Sequence, residues 1–344
     1  MNCNKIIPIR GLITFFFLCL LGVQVSGQII SQSDALLNKK QNEFAKWKYG
    51  MFLHFNMGTY ADKEWATGYE DPLLFNPFKL DCNQWAKVIK SAGMNYAVLT
   101  VKHTGGWCLW DSKYTTHDIT AFKNFRDGKG DIVREYVDAC RKEKIKVGLY
   151  YCLPGDFSNS YGNSLKPDQK DLHGLPPEAE GDFEGFIEKQ IAELLTNYGP
   201  IDLMWFDQYS NKYTRQYWLQ LKSLIHKLQP DCIVVANNSE NYNESDIISY
   251  EYPWRMQSNP EKALPASGNN DVSELCDCID ASGRWFWHTG DIKLQKVDVL
   301  SNMIKLCNSR NTNYLLDVPP GRDGLIDEAY VNHLMAVKKL VILK

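Results

Sequence analysis

Eight short apolar runs, separated by stretches with helical spacing, constrain this chain more than any other feature. The runs are YGMFLHF (49–55), NYAVLTVKH (95–103), KVGLYYC (146–152), DLMWFD (202–207), CIVVAN (232–237), DIISYE (246–251), SELCDCI (273–279) and NYLLDV (313–318). Most lack a clean apolar–polar alternation, which is the mark of strands covered on both faces, as in a parallel sheet. Between them lie amphipathic segments at 81–92, closed by a glycine stop, and at 130–143, 182–199, 214–230 and 292–309. Strand and helix in alternation over roughly 300 residues predict a closed (β/α)8 barrel in a single domain. An open nucleotide-binding sheet would need a glycine-rich phosphate loop after a strand, and neither G-x-G-x-x-G nor G-x-x-x-x-G-K-[ST] occurs there. Only a polar loop, 237–245, separates the fifth run from the sixth, so the barrel should be irregular at that point.

Ahead of the first strand, residues 1–27 read as an export signal: Lys5 and Arg10, an apolar stretch from Leu12 to Val23, and small residues at Val25-Ser26-Gly27. That stretch is short for a membrane span, and no later segment is long and apolar enough to make one. The mature chain is then 28–344, in the periplasm or outside the cell. A net charge of −3 gives no basic field for nucleic acid. Eight cysteines follow the signal, several of them inside strand-like runs as small core residues, and Cys276 and Cys278 are spaced C-x-C rather than as a zinc knuckle. Neither a metal nor another cofactor is expected. The oligomeric state is not legible.

The chemistry should sit where strands end. In DLMWFD a carboxylate, Asp207, closes a run that is otherwise built for the core, and a charge is carried to such a place only if it is paired or has a task. In a barrel of this kind the C-terminal ends of the strands form the active rim. His54, His103, Tyr151, Glu251 and Glu274 fall at corresponding ends. Carboxylates, histidines and aromatics without a metal motif suit acid–base work on a sugar, where one carboxyl protonates the leaving oxygen and another acts from the opposite side of the ring.

The segments KYGMFLHFNMGTY, KEWATG, FNPFKLDCNQWAKVIKSAGMNYAVLTVKH, CLWDSKYT, GKGDIVREYVDACRKEKIKVGLYY, LMWFDQ and NYLLDVPPGRDGLI resemble, in order, the landmarks of the α-L-fucosidases of glycoside hydrolase family 29. FNP and VPP are closer to its branch for α-1,3/1,4-linked, branched oligosaccharides. The resemblance implies a retaining exo-α-L-fucosidase acting on a fucosylated oligosaccharide or glycoconjugate. Asp207 matches the nucleophile that forms a fucosyl-enzyme intermediate. The acid/base is Glu251, favoured by its spacing after the nucleophile, or Glu274, which matches a glutamate used by other members. His54 and His103 match histidines that bind fucose hydroxyls. Trp65, Tyr151 and Trp285 match positions that line the sugar.

Two departures bear on specificity. Where the family has K-H-H-D-G-F, this chain has Lys102-His103-Thr104-Gly105-Gly106-Trp107. The chain also lacks, within its 344 residues, the β-sandwich many relatives carry, so further saccharide contacts would come from barrel loops, above all 154–181 with Asp156, Tyr161 and His173. The alternatives are a barrel glycosidase for a related sugar such as galactose, and a glycan-binding barrel without turnover.

Overall fold

A computed structural model describes residues 36–153, 156–159, 164–179, 181–207 and 215–341; the signal segment and Tyr161 lie outside these. Eight parallel strands run β1 (Tyr49–Leu53), β2 (Tyr96–Lys102), β3 (Lys146–Cys152), β4 (Leu203–Asp207), β5 (Ile233–Ala236), β6 (Ile248–Glu251), β7 (Ser273–Cys278) and β8 (Thr312–Asp317). Their order is β5-β4-β3-β2-β1-β8-β7-β6, the (β/α)8 arrangement. The ladder is interrupted at one junction, between β5 and β6, where the polar loop predicted irregularity.

The helices follow in chain order: α1 (36–44), α2 (Met57–Ala61), α3 (Cys82–Ser91), α4 (Ile132–Lys142), α5 (Phe183–Asn197), α6 (Arg215–Leu228), α7 (Tyr252–Ser258), α8 (Val297–Ser309) and α9 (Glu328–Leu340). Aspartate side chains cap three of them. The carboxylates of Asp81, Asp131 and Asp182 accept from the backbone N–H groups of Asn83, Arg134 and Gly185, each cap being worth about 1 kcal/mol. Two boundaries differ from the sequence expectation. Residues 292–295 do not begin α8, because Leu294 bridges to Asp280 and Gln295 N–H donates to the carbonyl of Ile279, so the helix starts only after Lys296. The short α7, with Pro253 in its first turn, was not anticipated.

Strand alternation splits the core in two. One face of each strand looks out at the helices, as with Met51, Leu99, Tyr151, Met204 and Phe206. The other fills the barrel with Phe52, Tyr96, Val98, Tyr150, Trp205, Val235 and Leu315. Gly50 shows how tight that filling is: a Cβ there would lie 2.4 Å from the Tyr96 ring. All eight cysteines among the described residues are buried.

The β5–β6 junction is closed by side chains. Asp246 N–H donates to the carbonyl of Val234, while the Asp246 carboxylate takes the N–H of Val234 at 2.9 Å, and Ser245 Oγ takes that of Ala236 at 3.1 Å. Asp246 is buried, which alone would raise its pKa. His226, Lys222 and Lys40 surround it at 2.8, 3.0 and 3.1 Å and hold it well below the ordinary range instead. Lys40 belongs to α1, so the helix ahead of the barrel is pinned to this seam.

Candidate active site

Asp207 ends β4 and shares its face with Leu203 and Trp205, so alternation turns its carboxylate into the barrel. Tyr150 of β3 donates its hydroxyl to Oδ2 at 3.0 Å, and Asn237, just past β5, donates Nδ2 to Oδ1 at 3.0 Å. The same Asn237 Nδ2 also donates to Glu251 Oε2 at 2.8 Å. One amide nitrogen thus stands between two carboxyl groups, whose bridged oxygens can be no farther apart than those two distances together, about 6 Å. The side-chain amide oxygen of Asn237, Oδ1, is itself buried and without a hydrogen-bond partner.

Glu251 ends β6. Burial and then the neighbouring Asp207 push its pKa up to about 7, against hydrogen bonds from Asn237 and Asn238 and the charge of Arg255. A carboxyl that keeps its proton near neutrality beside one that can act as a carboxylate is how two like groups are given different tasks.

Glu274 is placed elsewhere. It is the second residue of β7, level with Ser249 of β6 and Asn313 of β8, at the floor of the barrel and not at the rim where the sequence reading put it. Tyr96 donates to it at 2.7 Å and Trp205 at 3.0 Å. Burial raises its pKa to about 7 as well, opposed by those two bonds. The misplacement arises because SELCDCI contains two acids, and the one nearer the C-terminal end, Asp277, points outward to Tyr314.

Tyr151 also needs correction. It faces the helices, donating to Gln190 of α5 at 2.6 Å and receiving Lys102 at 3.1 Å, and it is Tyr150 that looks into the barrel. The two histidines are where they were expected. His54 Nδ1 lies 2.8 Å from Asp317 Oδ1, and burial lowers its pKa to about 3 despite Glu64 and Asp207. His103 stacks on Tyr150 at 5.3 Å, and burial and then His54 lower its pKa well below the usual value. Both imidazoles are therefore neutral and able to donate or accept a hydrogen bond. Thr104, the departure from the family pattern, sets its Oγ1 3.2 Å from His103 Nδ1. Gly105 and Gly106 follow with φ of 89° and 75°, a turn that other residues strain to make, and a Cβ on Gly105 would lie 2.8 Å from that of Ala66.

Trp285 closes the wall. Its ring is 5.1 Å from His54, and its backbone N–H donates to Glu64 Oε2 at 2.8 Å, which joins the β7–α8 loop to the loop after β1. Trp65 stands next to Glu64 with 46% of its surface exposed. Sequence reasoning missed Tyr150, Asn237, Asn238, Glu64 and Asp317. Asn237 had a signal, since it closes the fifth run as Asp207 closes the fourth.

A parallel barrel whose C-terminal rim holds two bridged carboxyls among neutral histidines and aromatics belongs to the class of (β/α)8 barrels with a paired-carboxyl rim. Within that class, the chain belongs to the alpha-L-fucosidase family, whose model matches residues 24–341. It is 29% identical over 348 residues to alpha-L-fucosidase 1 of Arabidopsis thaliana, covering 91% of this chain and 63% of that one. It is 27% identical over 272 residues to the tissue alpha-L-fucosidase of Homo sapiens, covering 74% and 52%. The chain thus spans a little under two thirds of the first of these relatives and about half of the second. Among solved structures, a putative alpha-L-fucosidase from Bacteroides thetaiotaomicron matches with a TM-score of 0.71 at 26% identity, over 87% of this chain and 66% of that one.

Proposed function

We propose that the chain is a retaining exo-α-L-fucosidase that removes a terminal α-linked L-fucose from a fucosylated glycan without a cofactor. The observation that carries this is the pair Asp207 and Glu251 bridged by Asn237. Retaining enzymes hold their carboxyls about 5–5.5 Å apart and inverting ones about 6.5–9.5 Å, and a bound of about 6 Å on the bridged oxygens supports the retaining reading. Family membership supports fucose as the sugar.

In the first step a carboxylate oxygen of Asp207 bonds to the anomeric carbon while the bond to the leaving oxygen breaks, and Glu251 gives that oxygen its proton. In the second step Glu251, now a carboxylate, takes a proton from water as the water oxygen displaces Asp207. Tyr150 and Asn237 orient the nucleophile. The neutral His54 and His103 are placed to bind sugar hydroxyls, and Trp285 offers an apolar face. Glu274, sealed at the floor by Tyr96 and Trp205, takes no part. The preference for branched α-1,3/1,4 linkages and export from the cytoplasm by residues 1–27 belong to the same proposal.

The test is fucose release from 4-nitrophenyl α-L-fucoside and from a Lewis-type branched trisaccharide, with the first-formed anomer followed by NMR. Retention gives α-fucose first; β-fucose first would overturn the mechanism, and release from neither substrate the choice of sugar. Release from the trisaccharide alone would support the branched-linkage preference. Sequencing the N-terminus of the mature protein tests export.

A further inference from the structure

The two proposed catalytic carboxyls lie on opposite sides of the barrel's one interrupted junction. Asp207 is on β4, which is hydrogen-bonded to β5, and Glu251 is on β6, which is hydrogen-bonded to β7. No ladder joins β5 to β6, and the backbone crosses the junction only by isolated bonds, Asp246 N–H to the Val234 carbonyl and Ser249 N–H to the Ser239 carbonyl. The rest of the offset is left to side chains, and at the rim they are Asn237, which bridges the two carboxyls, and the pair Asn238 and Arg255.

Asn238 has a φ of 59°, in the left-handed region that asparagine enters more readily than most residues. From there it holds Glu251 twice. Its Oδ1 accepts from the Glu251 backbone N–H at 3.0 Å, and its Nδ2 donates to Glu251 Oε2 at 3.0 Å. Arg255 of α7 holds Asn238 in turn. Nε donates to Asn238 Oδ1 at 2.8 Å, and Nη2 donates at 3.1 Å both to the Asn238 carbonyl and to the Ser249 carbonyl on β6. Its Nη1 is anchored by Glu240 at 2.9 Å and the Lys262 carbonyl at 3.0 Å, and its plane lies 4.6 Å from the Tyr250 ring. A guanidinium that is 94% buried and bonded to both sides of the junction is a brace.

We propose that Asn238, braced by Arg255, is the positioning residue that fixes the Glu251 carboxyl against Asp207 across the open junction. This rests on the reading of Glu251 as the acid. A misplacement on the order of 1 Å can cost about 100-fold in rate, so a clamp on both the main chain and the carboxyl of the acid has much to act on. The clamp also bears on protonation. The Glu251 carboxyl is faced by Asp207 from β4, Arg255 from α7, the Cys276 thiol from β7 and the two asparagine amides, and loss of the Asn238 donor removes one of the groups that favour its ionised form.

The experiment measures kcat, KM and the pH profile of the full chain and its Asn238→Gly, Asn238→Asp and Glu251→Ala variants. Each is assayed on an aryl fucoside with a good leaving group and on a fucosylated oligosaccharide with a poor one. Glycine accepts the positive φ, and aspartate keeps the shape and the Arg255 contact while presenting oxygen to Glu251. Asn238→Gly should lower kcat on the oligosaccharide about 10- to 100-fold with little change in KM, lose much less in kcat/KM on the aryl fucoside, and move the basic limb to higher pH. Asn238→Asp should move that limb further still, and it carries the test alone if the glycine variant does not fold. Folded Asn238 variants with the parent's limb and leaving-group dependence would overturn the proposal. Glu251→Ala that cleaves the oligosaccharide as the parent does would instead overturn the choice of acid.

Discussion

At the rim of this barrel Glu251, and at its floor Glu274, carry pKa values raised to about 7, and in both burial is the first cause. Their surroundings differ in every other respect. Glu251 has a second carboxylate for a neighbour and shares an amide with it. Glu274 is 1% exposed, has a phenol and an indole donating to its two oxygens, and owes its shift to burial, with no charged neighbour adding to it. A raised pKa thus marks a carboxyl that keeps its proton, and only the neighbours decide whether that proton can be used. At the rim it has a place to go, while at the floor it completes a polar plug beneath Trp205.

The comparison breaks most readily at the carboxyl pair. Asp207→Ala should lose activity by on the order of 10⁴-fold, since the covalent step has no substitute, and azide should restore turnover with formation of a β-fucosyl azide. Glu251→Ala should lose about 10²–10⁴-fold on a poor leaving group, and azide should rescue it on an aryl fucoside as the retained α-azide. Because the proposed acid, Glu251, keeps its proton up to about 7, the parent's kcat/KM should fall as pH rises through that value, and this limb should vanish in Glu251→Ala. A limb that survives in that variant would assign the proton to another group.

The floor is tested by Glu274→Gln, whose kcat/KM should stay within about threefold of the parent because the side chain touches no reacting atom. Its effect belongs to stability. The folded chain keeps the Glu274 proton up to about 7 while an unfolded chain releases it near 4.5, so this contribution is complete below 4.5 and is lost as pH rises through 7. The shift corresponds to about 3 kcal/mol, and chemical denaturation from pH 5 to pH 9 should show the parent losing roughly that much more than the glutamine variant. A loss of activity on the order of 100-fold in Glu274→Gln, with the fold intact, would move the acid to the floor and end the comparison.

Much of this was legible in the chain. The barrel followed from eight buried runs because strands covered on both faces must be apolar throughout, and the break at β5–β6 from the polar loop that replaces a helix there. Asp207 was legible because a carboxylate at the end of such a run is out of place by composition. The same uniformity hid the rest. When both faces of a strand are apolar, no pattern says which of two adjacent tyrosines points inward, or how deep in the barrel a glutamate starts its strand. Asn238 and Arg255 were out of reach for another reason, since their meaning comes from an interrupted ladder that only the folded chain displays.

The finest separation lies between neighbours in sequence. Tyr150 and Tyr151 are both almost fully buried, yet one hydroxyl serves Asp207 and the other Gln190 behind the sheet. Tyr150→Phe removes a hydrogen bond to the proposed nucleophile, worth about 1.5–3 kcal/mol if it is to a carboxylate, and should lower kcat/KM by roughly 10- to 100-fold with little loss of stability. Tyr151→Phe leaves Lys102 and Gln190 short of a buried partner, although Lys102 keeps its 2.8 Å ion pair with Asp156. It should lower the stability by about 1–3 kcal/mol and leave kcat/KM near the parent value. Activity and melting temperature measured on the same two preparations therefore move in opposite columns. If Tyr151→Phe were the variant that lost turnover at full stability, the strand would be turned about its axis relative to this structure, and Asp207, one ladder position further along on β4, would have to turn with it.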